Sequence, residues 1–283
     1  MSPLSPPDLA YVALGTCPAI GAKTFARLLE AFAHAPQAIL QADSARLKQV
    51  KGIGDKIAHA IRQINLEQFQ PRYETWLENG VQVLTPSHPD YPERLRPLPD
   101  APPLLFVLGT LPRYQHGVAI VGTRTPDAIS RFRAHAVGAS IATQGDIVIS
   151  GLALGIDHAA HAGALSVATG GTLAILGNGI LNPYPPANRP LARAIIEQGG
   201  ALICECPPDA EPNRNALIAR NRLISGMSDR VVIVQSSLQS GTMHTIRFAE
   251  AQQRRIFTFD HPATGNRALI EKGVPTLPDD YGR

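Results

Sequence analysis

From Leu104 onward the chain keeps returning to a short, nearly uninterrupted apolar run: Leu104 to Leu108, Val118 to Val121, Ile147 to Ile149, Leu173 to Leu176, Ala201 to Cys204, Val231 to Val234 and Ile256 to Phe259. Segments with three- and four-residue apolar spacing separate most of these runs. A strand that is apolar at every position, rather than at every second one, is buried on both faces. Repeated βα units of this kind close into a mostly parallel sheet covered by helices on each side. The sequence therefore predicts an α/β, Rossmann-like domain over residues 104–283.

Residues 1–80 are patterned differently. Ala22 to Ala33, Ser44 to Gln49, Lys56 to Asn65 and Gln68 to Asn79 carry helical apolar spacing with short breaks, which predicts a small all-α domain in front of the sheet. Within it, Val50-Lys51-Gly52-Ile53-Gly54-Asp55-Lys56 reads as a helix-hairpin-helix turn, and Pro18 to Lys23 is a looser copy. Gly52 and Gly54 permit a tight loop whose amides open the next helix. Such a turn, with Lys51 or Lys56 adding charge, can hold a DNA phosphate, or it can serve packing alone. Residues 81–103 are dense in proline (Pro86, Pro89, Pro92, Pro97, Pro99, Pro102 and Pro103), too rigid and donor-poor for a helix, and are expected to form an extended connector.

With 44% apolar and 17% charged residues over 283 positions, the composition is that of a globular protein. No apolar stretch reaches the roughly 18 residues of a membrane span, and Met1 to Asp8 carry no basic, then apolar, leader. A cytoplasmic protein without a membrane partner is expected. The cysteines, Cys17, Cys204 and Cys206, lack metal-ligand spacing and read as reduced structural thiols. A net charge of +3 is too small to establish a nucleic-acid partner. Its distribution says more: Asn213 to Arg255 holds seven arginines and no lysine, opposed only by Asp229 and Glu250. Arginine suits phosphate forks and base stacking.

Ligands of an open parallel sheet bind beyond the carboxyl ends of its strands, so the segments after each apolar run are the ones to read. Gly122-Thr123-Arg124 follows the second run, and Ser150-Gly151 the third, continuing through Gly155 to Asp157 and His161. Gly177-Asn178-Gly179 leads on to Tyr184-Pro185 and Asn188, and Ser240-Gly241-Thr242 with Thr245 follows the sixth. Four glycine- and hydroxyl-rich loops are thus predicted to converge on one rim. The expected chemistry is an anion cradle in which glycine lets the backbone approach a phosphate, helix amides donate to it, and Thr123, Ser150, Ser240, Thr242 and Thr245 add hydroxyls. Arg124 supplies a fork. Arg220-Asn221-Arg222, at a helix start, can grip a phosphate chain, or one of its arginines can serve an internal salt bridge. Asp157 and His161, four apart, form either a polar or weak metal pair or a cap and a buried imidazole; no third ligand is evident, and no metal is expected. The G-x-G-x-x-G and Walker spacings are absent, as is a G-x-S-x-G elbow, so neither a dinucleotide cofactor, nor a P-loop ATPase, nor a serine nucleophile is expected.

Taken together, Val118 to Arg124, Ser150-Gly151-Leu152-Ala153-Leu154-Gly155-Ile156-Asp157 with His161, Tyr184-Pro185 with Asn188, Arg220 to Gly226 and Ser240-Gly241-Thr242 resemble the DprA/Smf (DNA-processing protein A) family over roughly Tyr91 to Gly273. The helical N-terminal region is similar to that family's helix-hairpin-helix or SAM-like domain. The resemblance implies a non-enzymatic, homodimeric protein that binds and protects incoming single-stranded DNA in a basic pocket and helps load the recombinase RecA in natural transformation. It places Arg124, Arg220 and Arg222 in that pocket, with backbone phosphate contacts at Gly122, Gly151, Ser240 and Gly241.

Several positions depart from the family pattern. Leu217-Ile218-Ala219 replaces its F-P-x before R-N-R and loses an aromatic able to stack a base. Gln235 stands for Glu, Ile246 for Ala, and Asp260-His261 for Pro-Gly. A C-terminal winged helix is not expected in the ten residues after Gly273. The alternative is a nucleotide-binding protein, or an enzyme related to the lysine-decarboxylase-like nucleotide phosphoribohydrolases. Their P-G-G-x-G-T-x-x-E places Glu where this chain has Thr245.

Overall fold

The computed structural model describes residues 8–168 and 171–281. The Met1 to Pro7 segment, read above for a leader, lies outside the described residues. The chain divides into two units, Met1–Phe106 and Val107–Arg283.

The first unit carries six helices among its described residues: α1 Leu9–Gly15, α2 Ala22–Ala31, α3 Pro36–Gln41, α4 Ser44–Lys48, α5 Asp55–Arg62 and α6 Leu66–Glu78. Asp8, Asp43 and Asn65 cap α1, α4 and α6 by accepting backbone N–H groups. Leu14, Phe25, Leu28, Ile39, Leu47 and Ile61 form the core. The turn between α4 and α5 has Gly52 at φ +94°, with Lys48 paired to Asp55 at 2.9 Å and Arg27 Nη1 donating to the Lys51 carbonyl.

A short strand, β1 Gln82–Leu84, follows α6. The proline-rich stretch beyond it differs from the expected extended connector and coils through successive turns, with Tyr91 N–H donating to the His88 carbonyl, Leu95 to Pro92 and Leu98 to Leu95. The physical reason is burial. Tyr91 and Leu95 are almost fully enclosed, the Tyr91 hydroxyl donates to the Pro102 carbonyl at 2.8 Å, and Arg96 gathers the carbonyls of Pro86, His88 and Tyr91.

The unit boundary falls within β2 Leu105–Gly109. The second unit then runs β3 Gly117–Val121, α7 Ala128–Thr143, β4 Ile147–Ser150, α8 Ile156–Leu165, β5 Gly171–Ile175, α9 Arg189–Glu197, β6 Ala201–Cys204, α10 Arg214–Ala219, α11 Asn221–Gly226, β7 Arg230–Ile233, α12 Thr242–Ala251, β8 Arg255–Phe259, α13 Thr264–Glu271 and β9 Thr276–Leu277. Its strands lie in the order β6-β5-β4-β3-β7-β8-β9, and every pair in that series is parallel. Val118, Ile120, Val148 and Val232 pack against Ala134, Val137, Ala160 and Ala164 of α7 and α8. The alternate residues Ala119, Ile149, Val231 and Ile233 are equally buried on the opposite face. This two-sided burial is what the uninterrupted apolar runs encode.

Among the described residues no helix is long and apolar enough to cross a membrane, and no group of three His, Cys, Asp or Glu is placed to hold a metal. The cysteines are unbonded. Burial pushes the Cys204 thiol well above its ordinary range and Cys206 to about 11.

Candidate functional site

The sheet reverses its winding direction between β3 and β7. From β3 the chain proceeds outward through β4, β5 and β6, and from β7 it proceeds the other way through β8 and β9. A crevice opens outside the carboxyl ends of strands at such a switch point. Here it is a cavity of about 740 Å³, lined by Gly122, Thr123 and Arg124 after β3, Ala153 and Asp157 after β4, Tyr184 after β5, and Ser240 to Thr242 with His244 and Thr245 after β7. The four loops converge as their composition predicts. A fifth wall, Asn213, Arg214, Leu217, Arg220 and Asn221, comes from the segment after β6.

The Arg124 loop is held at several points while its side chain is left exposed. Thr123 N–H donates to the Gln235 carbonyl at 2.8 Å, and Ile156 N–H to the Thr123 carbonyl at 3.1 Å. Asp127 caps α7, its own N–H donates to Gln235 Oε1 at 3.0 Å, and its carboxylate lies 2.8 Å from His261 Nε2. Because His261 Nδ1 accepts from Ala263 N–H, the proton sits on Nε2 and is donated to Asp127. The Ser130 amide holds the Asp127 carboxyl below its ordinary range, with His261 adding to the effect. Two of the departures from the family pattern, Gln235 and His261, thus meet on Asp127, the first at its backbone N–H and the second at its carboxylate. Gly155 closes the arrangement at φ +78°, where a Cβ would lie 2.5 Å from the Thr123 carbonyl oxygen.

Arg220 does not project into the cavity as a free cation. Its Nη1 donates to the carbonyls of Gly151, at 2.6 Å, and Ile175, and its Nε donates to Asn221 Oδ1 at 3.1 Å. A Cβ on residue 151 would stand 2.1 Å from that Nη1, so Gly151 is a glycine in order to admit the guanidinium. Asp157 Oδ2 accepts from the Gly151 and Ala153 amides at 3.1 and 3.3 Å. Burial raises the Asp157 carboxyl against the opposing charge of Arg220, and burial lowers Arg220 against the opposing charge of Asp157.

Other expected site residues also turn inward. Arg222 pairs with Glu205 and lies outside the cavity lining. Ser150 Oγ donates to the Ile120 carbonyl at 2.6 Å, and Asn188 Nδ2 donates to the carbonyls of Leu152 and Ala153. Each satisfies a buried backbone group that would otherwise be costly to enclose. Thr242 and Thr245 are buried in the lining, whereas Gly241 is exposed with open space where a Cβ would stand. His161 is fully buried with Nδ1 2.7 Å from Thr172 Oγ1. That hydroxyl donates onward to the Val148 carbonyl, so His161 Nδ1 is the donor. Burial first, then the charges of His158 and Arg220, lower His161 to about 3, which keeps the imidazole neutral.

Arg214, His244 and Tyr184 also line the cavity, in addition to the site residues that the sequence singles out. The signals were present: Arg214 opens α10 beside its Asn213 cap, and His244 lies within the Ser240 to Thr245 segment. The cavity thus gathers exposed Arg124 and Arg214, His244, and the positive end of α12. Among the described lining residues its one acid is Asp157. In the first unit, Lys51, Gly52, Gly54 and Lys56 are all exposed on the α4–α5 turn.

The family model of DNA recombination-mediator protein A matches residues 82–279, and that of the SAM-like helix-hairpin-helix tandem matches residues 13–63. Protein Smf of Synechocystis sp. is 35% identical over 82% of this chain and 60% of its own length. Protein Smf of Escherichia coli is 37% identical over 70% of this chain and 55% of its own length. The chain therefore spans little more than half of either. DNA processing protein DprA of Bacillus subtilis is 32% identical over 79% of this chain and 78% of its own. Among solved structures, DNA processing protein A from Helicobacter pylori, described for its single-stranded DNA binding mode, is 30% identical with a TM-score of 0.63 over 69% of this chain and 89% of its own. That of DNA processing protein A from Streptococcus pneumoniae shares the fold, with a TM-score of 0.77 over 96% of this chain and 95% of its own at 22% identity.

Proposed function

The chain belongs to the DNA recombination-mediator protein A family, and we propose on that premise that its switch-point cavity binds the phosphate backbone of single-stranded DNA. The observation that carries this reading is the gathering of Arg124, Arg214, His244 and the α12 N-terminus around one cavity, with Asp157 already engaged by two amides. Exposed guanidinium groups and helix amides hold successive phosphates in a sequence-independent way. Gly122, Thr123, Ser240 and Gly241 supply the backbone and hydroxyl contacts between the cations. Arg220 and Gly151 act behind that surface by fixing its floor.

In this reading the protein is a binding protein rather than an enzyme. It protects incoming single strands and presents them to the recombinase RecA, acting as a homodimer in the cytoplasm. The exposed turn of Lys51, Gly52, Gly54 and Lys56 offers a second phosphate contact. A phosphoribohydrolase reading finds little support, because Thr245 stands at the catalytic Glu position and the Asp157 carboxylate is tied to the loop beneath it.

Fluorescence-anisotropy titration with a labelled single strand, its duplex and free mononucleotides tests the proposal. Preferential binding of the single strand, without base release from mononucleotides, is expected. Equal affinity for mononucleotides, or release of free base, contradicts it.

A further inference from the structure

A narrower recess opens off the main cavity. Arg124, Ala153, Tyr184, Leu217 and Arg220 line both, and Leu154, Pro185 and the Gly151 backbone complete the recess. Its walls are mainly apolar, and both of its charged side chains are shared with the main cavity: Arg124, exposed, and Arg220, fixed by the carbonyls of Gly151 and Ile175. Among the described residues five large apolar side chains remain exposed, and two of them, Tyr184 at 38% and Leu154 at 43%, border this one recess. A soluble surface that leaves an aromatic ring and a leucine uncovered beside a cationic cavity has the composition of a site for a flat, amphipathic group carrying an anion.

We propose that this recess is a nucleobase pocket in which the Tyr184 ring is the stacking surface, while the attached phosphate lies in the main cavity against Arg124. The inference rests on the single-stranded DNA reading and adds the base to it. The aromatic missing before Arg220, where Leu217-Ile218-Ala219 stands, is thereby supplied from another loop: Leu217 lines the recess as an apolar wall, and the ring arrives after β5. The site tolerates any base, since stacking uses the π-face that all bases share.

The test compares a base-bearing oligonucleotide with an abasic one of the same length, against wild type, Tyr184→Ala and Tyr184→Phe. Wild type and Tyr184→Phe are expected to favour the base-bearing strand. Tyr184→Ala should bind that strand about 5- to 150-fold more weakly, with affinity for the abasic strand and the thermal midpoint unchanged. A 2-aminopurine reporter in the oligonucleotide should be quenched by wild type and not by Tyr184→Ala. Arg124-dependent binding that is indifferent to Tyr184→Ala overturns the base pocket alone. Binding of neither strand by wild type overturns the phosphate reading and the base pocket with it.

Discussion

The guanidinium of Arg220 donates to the carbonyl of Gly151 at 2.6 Å, joining the α10–α11 junction to the loop that follows β4. The same Nη1 reaches the Ile175 carbonyl at the end of β5. One buried cation thus fixes two neighbouring strand ends beneath the cavity. The motif read as a phosphate grip is divided between a pillar, Arg220, and an outlying ion pair, Arg222 with Glu205.

Arg220→Ala is therefore expected to unfold more easily rather than simply to bind more weakly. Each deserted buried carbonyl costs roughly 1–3 kcal/mol, so a loss of about 3 kcal/mol is expected in urea unfolding. Arg124 is exposed, and Arg124→Ala should leave the unfolding midpoint in place. Equal destabilisation by both substitutions would contradict the distinction.

Arg222→Ala is expected to lower stability by roughly 1–3 kcal/mol through the loss of its pairing with Glu205, both groups being largely enclosed. Oligonucleotide affinity of the folded variant should match wild type, as Arg222 lies outside the cavity lining. A marked loss of affinity in folded protein would place Arg222 in the site after all.

Gly155→Ala tests the support of the Arg124 loop. At φ +78° a side chain is strained, and its Cβ would meet the Thr123 and Arg124 backbone at 2.5 to 2.6 Å. Lower stability together with weaker DNA binding is expected. Gly241→Ala, with open space around it and an ordinary φ of −60°, should fold normally. Identical unfolding curves for the two variants would be inconsistent with this geometry.

His161 makes stability depend on acid. Its folded pKa is lowered from 6.5 to about 3, so between these values the unfolded chain binds a proton that the folded chain refuses. Stability from this group is complete above about pH 6.5 and falls by about 1.4 kcal/mol per pH unit down to pH 3. The raised Asp157 carboxyl acts in the opposite sense, favouring the folded state as pH falls. Chemical unfolding of wild type and His161→Gln across this range isolates the imidazole, and their difference should narrow with acidity. Parallel curves would rule out this role.

The seven longer strands were legible because each carries a nearly continuous apolar run, as a strand covered on both faces requires. β1, of three residues, and β9, of two, have no such run and escaped notice. The rim loops were legible because strand ends at a switch point are where ligands sit. The fates of the arginines were not. A sequence shows that Arg220 and Arg222 are cationic, but which carbonyl or carboxylate each meets depends on contacts made across long stretches of chain. Arg214 was hidden by its context, an isolated arginine after a proline-rich loop.

The most direct test of the central claim is a salt titration of single-stranded DNA binding by wild type and the Arg124→Ala variant. Each phosphate contact contributes a slope of about −0.7 to log affinity against log salt on single strands. Wild type should weaken steeply with salt, and Arg124→Ala should bind more weakly at low salt with a slope shallower by about 0.7. Affinity indifferent to salt, or an identical slope and affinity in the variant, would contradict a phosphate-binding cavity built around Arg124.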